Sequence, residues 1–159
     1  RLAEPQEMDR VLCFVAASGQ QVWEQHYEVD YGPLSYGNGP RATPTVAGDR
    51  VYTLGAMGHL CCLDAESGKL IWTVDLVSQY SARIPVWGLS ASVVLFGELA
   101  IVHPGAEPEG CLMAFQQADG TKVWNALPDA AGYATPLLIE SGGRQQLVCW
   151  TPSHVHSKW

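Results

Sequence analysis

A short pattern occurs three times in the chain, and its spacing restricts the fold more than any other feature. Each copy has a small residue, four further positions, a hydroxyl or acidic residue, a glycine, three more positions and a tryptophan. The copies occupy residues 13–23, 62–72 and 114–124. Their glycines and tryptophans are Gly19 and Trp23, Gly68 and Trp72, and Gly120 and Trp124. Successive copies are 49 and 52 residues apart, which indicates a repeating structural unit.

A second pattern recurs between these copies, in step with the first. Residues 42–52 match residues 91–101 and, less closely, residues 134–144. A unit of about 50 residues that contains only strand and turn signals has the size of a four-stranded propeller blade. The sequence therefore predicts an all-β fold, namely a β-propeller of four-stranded antiparallel blades.

Turn residues place four strands in the best-preserved unit. Gly48 and Asp49 form a tight hairpin turn, and Gly68 closes another turn, in which the Asp64 carboxylate can accept a backbone N–H. The predicted strands are residues 42–47, 50–55, 59–64 and 69–75. Because these strands are apolar on both faces, we expect each sheet to pack between two neighbours, with the repeat tryptophans in the gaps.

The residues at 42–52 and 63–72 resemble the pyrroloquinoline-quinone-like (PQQ-like) β-propeller repeat. Quinoprotein alcohol dehydrogenases and the bacterial outer-membrane assembly propeller lipoprotein share this repeat. The resemblance covers about residues 9–150, although Val15 and Gln116 stand where the second copy has Asp64. It implies a tryptophan-docking motif at the repeat positions and export to the periplasm or beyond.

The chain is too short for a closed ring. Its 159 residues hold roughly 3.2 units, whereas closed propellers use about 4–8 blades. We expect part of a blade in residues 1–29, blades in 42–76 and 90–127, and a partial blade in 134–159. An incomplete ring indicates a fragment of a longer protein, and exposed terminal blades predict self-association of the isolated chain.

Composition argues against several classes of function. Nine Lys and Arg against sixteen Asp and Glu give a net charge of −7, and the scattered basic residues cannot form a nucleic-acid-binding surface. No apolar run approaches the roughly 18 residues that a membrane-spanning helix needs. Five widely spaced cysteines match neither a zinc site nor a complete disulfide framework.

Candidate binding residues concentrate at one end of the predicted ring. Antiparallel order places the connectors between blades and the loops between second and third strands at the same end. These long, irregular segments are residues 30–41, 56–58, 77–89, 104–110 and 128–133. The candidates for ligand binding are Tyr36, Asn38, Arg41, Arg83, Trp87 and Tyr133, with Tyr31 and Tyr80 in the same loops. The alternative role of these side chains is to pack the connectors onto the sheets.

Other reactive side chains carry weaker signals. Cys61 and Cys62 invite comparison with the vicinal disulfide of quinone dehydrogenases, but consecutive strand residues point to opposite faces, so we expect both to pack in the interior. His103, His154 and His156 lack an identifiable third metal ligand. We find no nucleophile elbow and no helix that a phosphate-binding loop could open.

We therefore expect a binding or scaffolding module without catalytic residues, metal or cofactor, whose ligand is a protein segment or small molecule at the loop-rich end. The alternative is part of a PQQ-dependent quinoprotein alcohol dehydrogenase, with the quinone and Ca²⁺ at the centre of the complete ring. In that case Arg41, Arg83 and Trp87 are the candidate cofactor contacts. Fold alone does not decide between these functions.

Overall fold

The computed structural model describes residues 7–32, 34–35, 37–152 and 155–158. Four sheets follow one another along the chain, and we number them blades 1 to 4. Blade 1 contains β1 (Met8–Phe14) and β2 (Gln21–Glu28). Blade 2 contains β3 (Thr45–Ala47), β4 (Arg50–Leu54), β5 (His59–Asp64) and β6 (Leu70–Asp75). Blade 3 contains β7 (Val94–Phe96), β8 (Leu99–Val102), β9 (Leu112–Gln116) and β10 (Lys122–Ala126). Blade 4 contains β11 (Leu137–Ser141), β12 (Arg144–Trp150) and β13 (Val155–Lys158).

Every blade is an antiparallel meander in which consecutive strands pair. Blades 2 and 3 each have four strands, in the order β3-β4-β5-β6 and β7-β8-β9-β10. The predicted all-β architecture of four-stranded antiparallel blades is thus confirmed. Across the described residues, no helix is long and apolar enough to cross a membrane.

The blades pack face to face, and a cluster of buried side chains fills each gap. Between blades 1 and 2 the buried residues are Trp23, Val51, Cys61 and Leu63. Between blades 2 and 3 they include Tyr52, Leu60, Cys62, Trp72, Val102 and Phe115. Between blades 3 and 4 they are Ile101, Leu112, Ala114, Leu147 and Cys149. Successive blades therefore bury apolar surface against each other.

Strand β5 shows how one strand serves two interfaces. Cys61 and Leu63 lie in the cluster shared with blade 1, whereas Leu60 and Cys62 lie in the cluster shared with blade 3. The alternation follows from the two-residue period of a strand, and it accounts for the continuous apolar sequence. Cys61 and Cys62 are free thiols on opposite faces of the sheet.

The first strand of blade 2 is shorter than predicted. We expected a strand over 42–47, but β3 begins at Thr45. Pro44 has no N–H to donate to a ladder, and the Thr43 N–H donates to Ser92 Oγ at 3.1 Å instead. The Thr45 hydroxyl donates to the carbonyl of Val93 at 2.6 Å. The start of this segment is therefore bonded to blade 3 rather than to its own sheet.

One short helix interrupts the strands. Helix α1 (Leu76–Tyr80) follows β6 directly. The carboxylate of Asp75 caps it by accepting from the N–H groups of Val77 and Ser78 at 3.0 and 3.1 Å. Ser81 ends the helix in the left-handed conformation, with φ 57°. A five-residue helix is too short to show a helical period, so the pattern of apolar residues could not reveal it.

Candidate functional site at the loop-rich end

The three repeat glycines close equivalent turns. Gly19, Gly68 and Gly120 all have positive φ, between 70° and 76°. In each turn the glycine N–H donates to the carbonyl four residues earlier, at 2.8 or 2.9 Å. A residue with a side chain is strained in this conformation, which explains why glycine recurs at this position.

Side-chain hydrogen bonds complete the same three turns. The Asp64 carboxylate accepts from the backbone N–H of Ser67, three positions later, at 2.7 Å, and hydrogen bonds from Ser67 lower the pKa of Asp64. The other two turns use the residue before the glycine: Ser18 Oγ accepts from the Gln20 N–H at 3.3 Å, and Asp119 accepts from the Thr121 N–H at 2.9 Å. The first and third turns therefore do not need a carboxylate at the positions of Val15 and Gln116.

Each of the first two repeat tryptophans lies on the turn of the following blade. Trp23 Nε1 donates to the carbonyl of Ala65 at 2.9 Å, and Trp72 Nε1 donates to the carbonyl of Gln117 at 2.9 Å. A Cβ atom on Gly68 would lie 2.5 Å from the Trp23 ring, and one on Gly120 would lie 2.8 Å from the Trp72 ring. The half-buried Trp124 packs into the cluster between blades 3 and 4.

At the opposite end of the blades, the long connectors contact one another. The Ser35 N–H donates to the carbonyl of Val86 at 3.2 Å. The Leu89 N–H donates to the carbonyl of Ala56 at 2.8 Å. Ala82 forms an isolated antiparallel bridge with Ala106. The loop at 104–110 also approaches the loop at 128–133, since a Cβ atom on Gly105 would overlap the backbone nitrogen of Ala131. The five irregular segments therefore form one continuous surface.

Two aromatic rings form an exposed pair on this surface. The rings of Trp87 and Tyr133 have centroids 4.9 Å apart and planes tilted by 33°. Trp87 is 46% exposed and Tyr133 is 41% exposed. Together with Arg41 and Ser90, they line an open cleft of about 440 Å³. The Ser90 hydroxyl donates to the Tyr133 carbonyl at 2.9 Å and ties the two connectors together.

Arg41 braces the loop that precedes it. Its guanidinium donates to the carbonyl oxygens of Ser35 at 3.2 Å and of Gly37 at 2.7 Å, and also to that of Gly39. With these donors engaged by backbone, Arg41 forms a fixed edge of the cleft beside Trp87. A guanidinium that holds three carbonyl groups restricts a glycine-rich loop.

Two further candidates, Arg83 and Asn38, lie outside the cleft. Arg83 forms an exposed ion pair with Glu107, whose carboxylate oxygen is 2.6 Å from the guanidinium. The Asn38 amide donates to the carboxylate of Glu7. Tyr36 lies outside the described residues, and so does His154. The structure therefore brings together three of the six candidates, Arg41, Trp87 and Tyr133, and adds Ser90, which sequence reasoning did not select.

Sequence reasoning also missed a buried carboxylate. Asp9 is only 4% exposed and accepts hydrogen bonds from the phenols of Tyr27, at 3.0 Å, and Tyr31. Burial, together with the charge and hydrogen bonding of Asp9, raises the pKa of both phenols. A Cβ on Gly55 would lie 2.5 Å from the Tyr27 oxygen, so blade 2 needs glycine there. Tyr27 and Tyr31 are 18 and 22 positions from Asp9 in the sequence, so no local motif predicts these hydrogen bonds.

The described residues contain no group of three His, Cys, Asp or Glu side chains placed to hold a metal ion. Glu107 is paired with Arg83, and Asp129 accepts from the Thr151 hydroxyl at 3.0 Å. Cys61 and Cys62 face different interfaces, so they cannot together form one wall of a cofactor site. The loop-rich end thus offers aromatic surface and backbone groups.

Known proteins share both the sequence pattern and the fold. A family model described as "Outer membrane protein assembly factor BamB" matches residues 7–152. The chain is 29% identical over 122 residues to BamB of Burkholderia pseudomallei, covering 75% of this chain and 26% of that protein. It is 32% identical over 122 residues to the quinohemoprotein alcohol dehydrogenase ADH IIB of Pseudomonas putida, covering 72% and 17%.

The solved structure of BamB from Moraxella catarrhalis matches 93% of this chain and 40% of its own chain, with a TM-score of 0.57 and 19% identity. That likeness shows the fold, which is a β-propeller. The chain spans only a minor part of the length of each of these relatives. The match over residues 7–152 shows that the chain belongs to the PQQ-like β-propeller repeat family.

Proposed function

We propose that this chain is a non-catalytic binding and scaffolding module of a larger exported protein. The observation that carries the proposal is the open cleft at the loop-rich end, where Trp87 and Tyr133 expose their rings beside Arg41. Aromatic side chains that are already fixed by neighbouring backbone give a ligand contact area at a low cost in side-chain entropy. Aromatic and arginine side chains are also enriched where proteins bind one another.

The ligand that we propose is an extended segment of another polypeptide. The cleft is open to solvent, and side chains from three connectors line it, which suits a chain that passes over the site. The name of one relative describes a factor in the assembly of outer-membrane proteins, whose strands alternate apolar and polar side chains. Such a strand would place apolar side chains on the ring pair and leave polar ones in water.

The scaffolding part of the proposal concerns the opposite end of the blades. The contacts of Trp23 with the Gly68 turn and of Trp72 with the Gly120 turn have the same hydrogen bond and the same ring position. We propose that they form a tryptophan-docking motif that fixes each blade on the next. A rigid stack of blades holds the connectors at constant positions, and binding loops need such support.

The donor set favours this proposal over quinone chemistry. Ca²⁺ prefers several oxygen ligands, and the described part of the chain contains no cluster of carboxylates at the loop-rich end. Three donors of the Arg41 guanidinium are engaged by backbone carbonyls, and Arg83 forms an exposed ion pair with Glu107. These contacts support the scaffold as our preferred proposal, and the quinone titration described below tests the alternative.

A labelled peptide tests the binding proposal. The probe is a fluorescein-labelled peptide of about ten residues with the alternating pattern of an outer-membrane strand, and its anisotropy is followed as the chain is added. We expect Trp87→Ala and Tyr133→Ala each to weaken binding by about tenfold, because truncation removes central aromatic contacts. Phe96→Ala is the matched control, since Phe96 is exposed to a similar extent but lies beside a hairpin turn at the other end. Absence of binding to the unmodified chain, or equal losses in all three variants, would contradict the proposal.

The dehydrogenase alternative rests on the likeness to the quinohemoprotein alcohol dehydrogenase. Titration calorimetry of the full-length parent protein with pyrroloquinoline quinone and Ca²⁺ separates the two functions. Tight stoichiometric binding would favour the dehydrogenase and make Trp87 and Arg41 the first residues to substitute. No detectable heat of binding, together with binding of the labelled peptide, would favour the scaffold.

A further inference from the structure

A buried histidine brings two distant thiols together between blades 3 and 4. His103 follows β8, Cys111 precedes β9, and Cys149 lies in β12. All three side chains are fully buried. The Cys111 sulfur is 3.2 Å from His103 Nε2, and the Cys149 sulfur is 3.7 Å from the same nitrogen. Because both sulfurs contact one atom, they are neighbours although they are 38 positions apart in the sequence.

The hydrogen bonds around His103 show which ring nitrogen is the acceptor. The backbone N–H of Gly132 donates to Nε2 at 3.2 Å, so this nitrogen is an acceptor and the neutral ring carries its proton on Nδ1. The Cys111 thiol reaches the same nitrogen and, at 3.6 Å, the carbonyl of Ala130. Hydrogen bonding with Cys149, followed by burial, raises the pKa of Cys111. The surroundings therefore favour the protonated thiol of Cys111 once the chain is folded.

We propose that Cys111 and Cys149 form a disulfide that links blade 3 to blade 4 when the chain meets a small-molecule disulfide oxidant. The other thiols have different surroundings: Cys61 and Cys62 point into separate interfaces, and Cys13 packs beside blade 2. Among the described cysteines, Cys111 and Cys149 share a contact atom across two blades.

The chemistry is thiol–disulfide exchange with oxidised glutathione as the oxidant. The thiolate of one cysteine attacks a glutathione sulfur, which forms a mixed disulfide and releases one glutathione thiolate. The thiolate of the second cysteine then attacks the protein sulfur of that mixed disulfide and releases the second glutathione. Two S–H bonds are lost and one S–S bond forms; two protons go to solvent, and two electrons reduce the glutathione disulfide. Because both folded thiols are buried, exchange requires blade 4 to open transiently.

Peptide mapping tests the proposal on the whole chain. The chain is incubated with oxidised glutathione, free thiols are blocked with iodoacetamide, and trypsin is added. Cleavage after Arg83, Lys122 and Arg144 places Cys111 in the peptide 84–122 and Cys149 in 145–158, apart from the other cysteines. We expect a linked pair of these two peptides that reductant separates. Recovery of both peptides alkylated, linkage to another cysteine, or a covalent dimer would overturn the proposal.

Thermal unfolding of the same samples adds a second readout that does not depend on a variant being well folded. The oxidised chain should unfold at a higher temperature than the reduced chain, because the link restricts the unfolded ensemble. Cys61→Ser is the matched control, since Cys61 is also buried, and it should keep both the linked peptides and the shift. Cys149→Ser should lose both. A shift that survives in Cys149→Ser would refute the assignment, whatever the outcome of the peptide-binding and quinone experiments.

Discussion

Removing the indole of Trp72 tests the view that the repeat tryptophans hold the blades together. Trp72 is 7% exposed, packs in the cluster between blades 2 and 3, and donates from Nε1 to the carbonyl of Gln117 at 2.9 Å. The ring lies on Gly120, where a Cβ would come within 2.8 Å of it. Trp72→Ala therefore leaves a cavity between two sheets and removes one of the two hydrogen bonds to the Gln117 carbonyl, which also accepts from the Arg50 guanidinium.

The expected loss of stability follows from these contacts. Truncation of a buried tryptophan to alanine costs about 3–5 kcal/mol in unfolding free energy. Trp72→Phe keeps an aromatic ring but loses the hydrogen bond to Gln117, so we expect a smaller loss of about 1–2 kcal/mol. Trp87→Ala is the matched control, because its side chain is 46% exposed, and we expect about 1 kcal/mol or less.

Urea unfolding followed by far-ultraviolet circular dichroism measures these differences, since this signal reports the strands rather than one indole. Substitution of the turn checks the same contact from the other side. Gly120→Ala should destabilise more than Gly97→Ala: both glycines have positive φ, but a Cβ on Gly97 meets no atom within 4 Å. Two results would refute this view of the tryptophan contact. One is a loss of unfolding free energy in Trp72→Ala no larger than that in Trp87→Ala. The other is an equal loss in Gly120→Ala and Gly97→Ala.

Two further predictions concern pH and association. Burial raises the pKa of Tyr52 to about 12, so the folded chain holds this proton more tightly than the unfolded chain does. The resulting stabilisation is complete below about pH 10 and is lost as pH rises through about 12. In urea titrations over that range, Tyr52→Phe should lose less unfolding free energy than the unmodified chain. An equal loss in both would contradict the assignment. The isolated chain should self-associate, because Leu12 and Phe14 on blade 1 and Leu137 and Trp150 on blade 4 are exposed apolar side chains. Light scattering after size exclusion checks this, and a monodisperse monomer would refute it.

Local chemistry explains which parts of the structure could be predicted from the sequence. The turn at Gly68 and the position of Trp72 follow from positive φ and from a pattern that recurs three times. Helix α1 could not be predicted, because five residues and one capping carboxylate, Asp75, give too little periodicity. The first strand of blade 2 was predicted too long, because the hydrogen bond of Thr43 goes to a neighbouring blade.

The candidate site was only partly predictable for a different reason. Tyr133 and Trp87 were selected as loop aromatics, but their contact depends on how two connectors from different blades meet. Ser90 carries no signal of its own, since its role is to bond a carbonyl 43 positions away. Asp9 and Tyr27 are paired across β1 and β2, and nothing in the local sequence sets that register. Packing between blades, which brings the connectors together, leaves no period in the sequence.

We assign stability to the turn end of the blades and ligand binding to the loop end. At the turn end, the same backbone hydrogen bonds recur in three blades, and Trp72 is buried against the next turn. At the loop end, the connectors differ in length and sequence, and Trp87 remains nearly half exposed. Since we propose that the buried tryptophans join the blades, we expect the exposed rings to serve a ligand rather than folding. Trp72→Ala should therefore reduce stability and peptide binding together, whereas Trp87→Ala should reduce peptide binding alone.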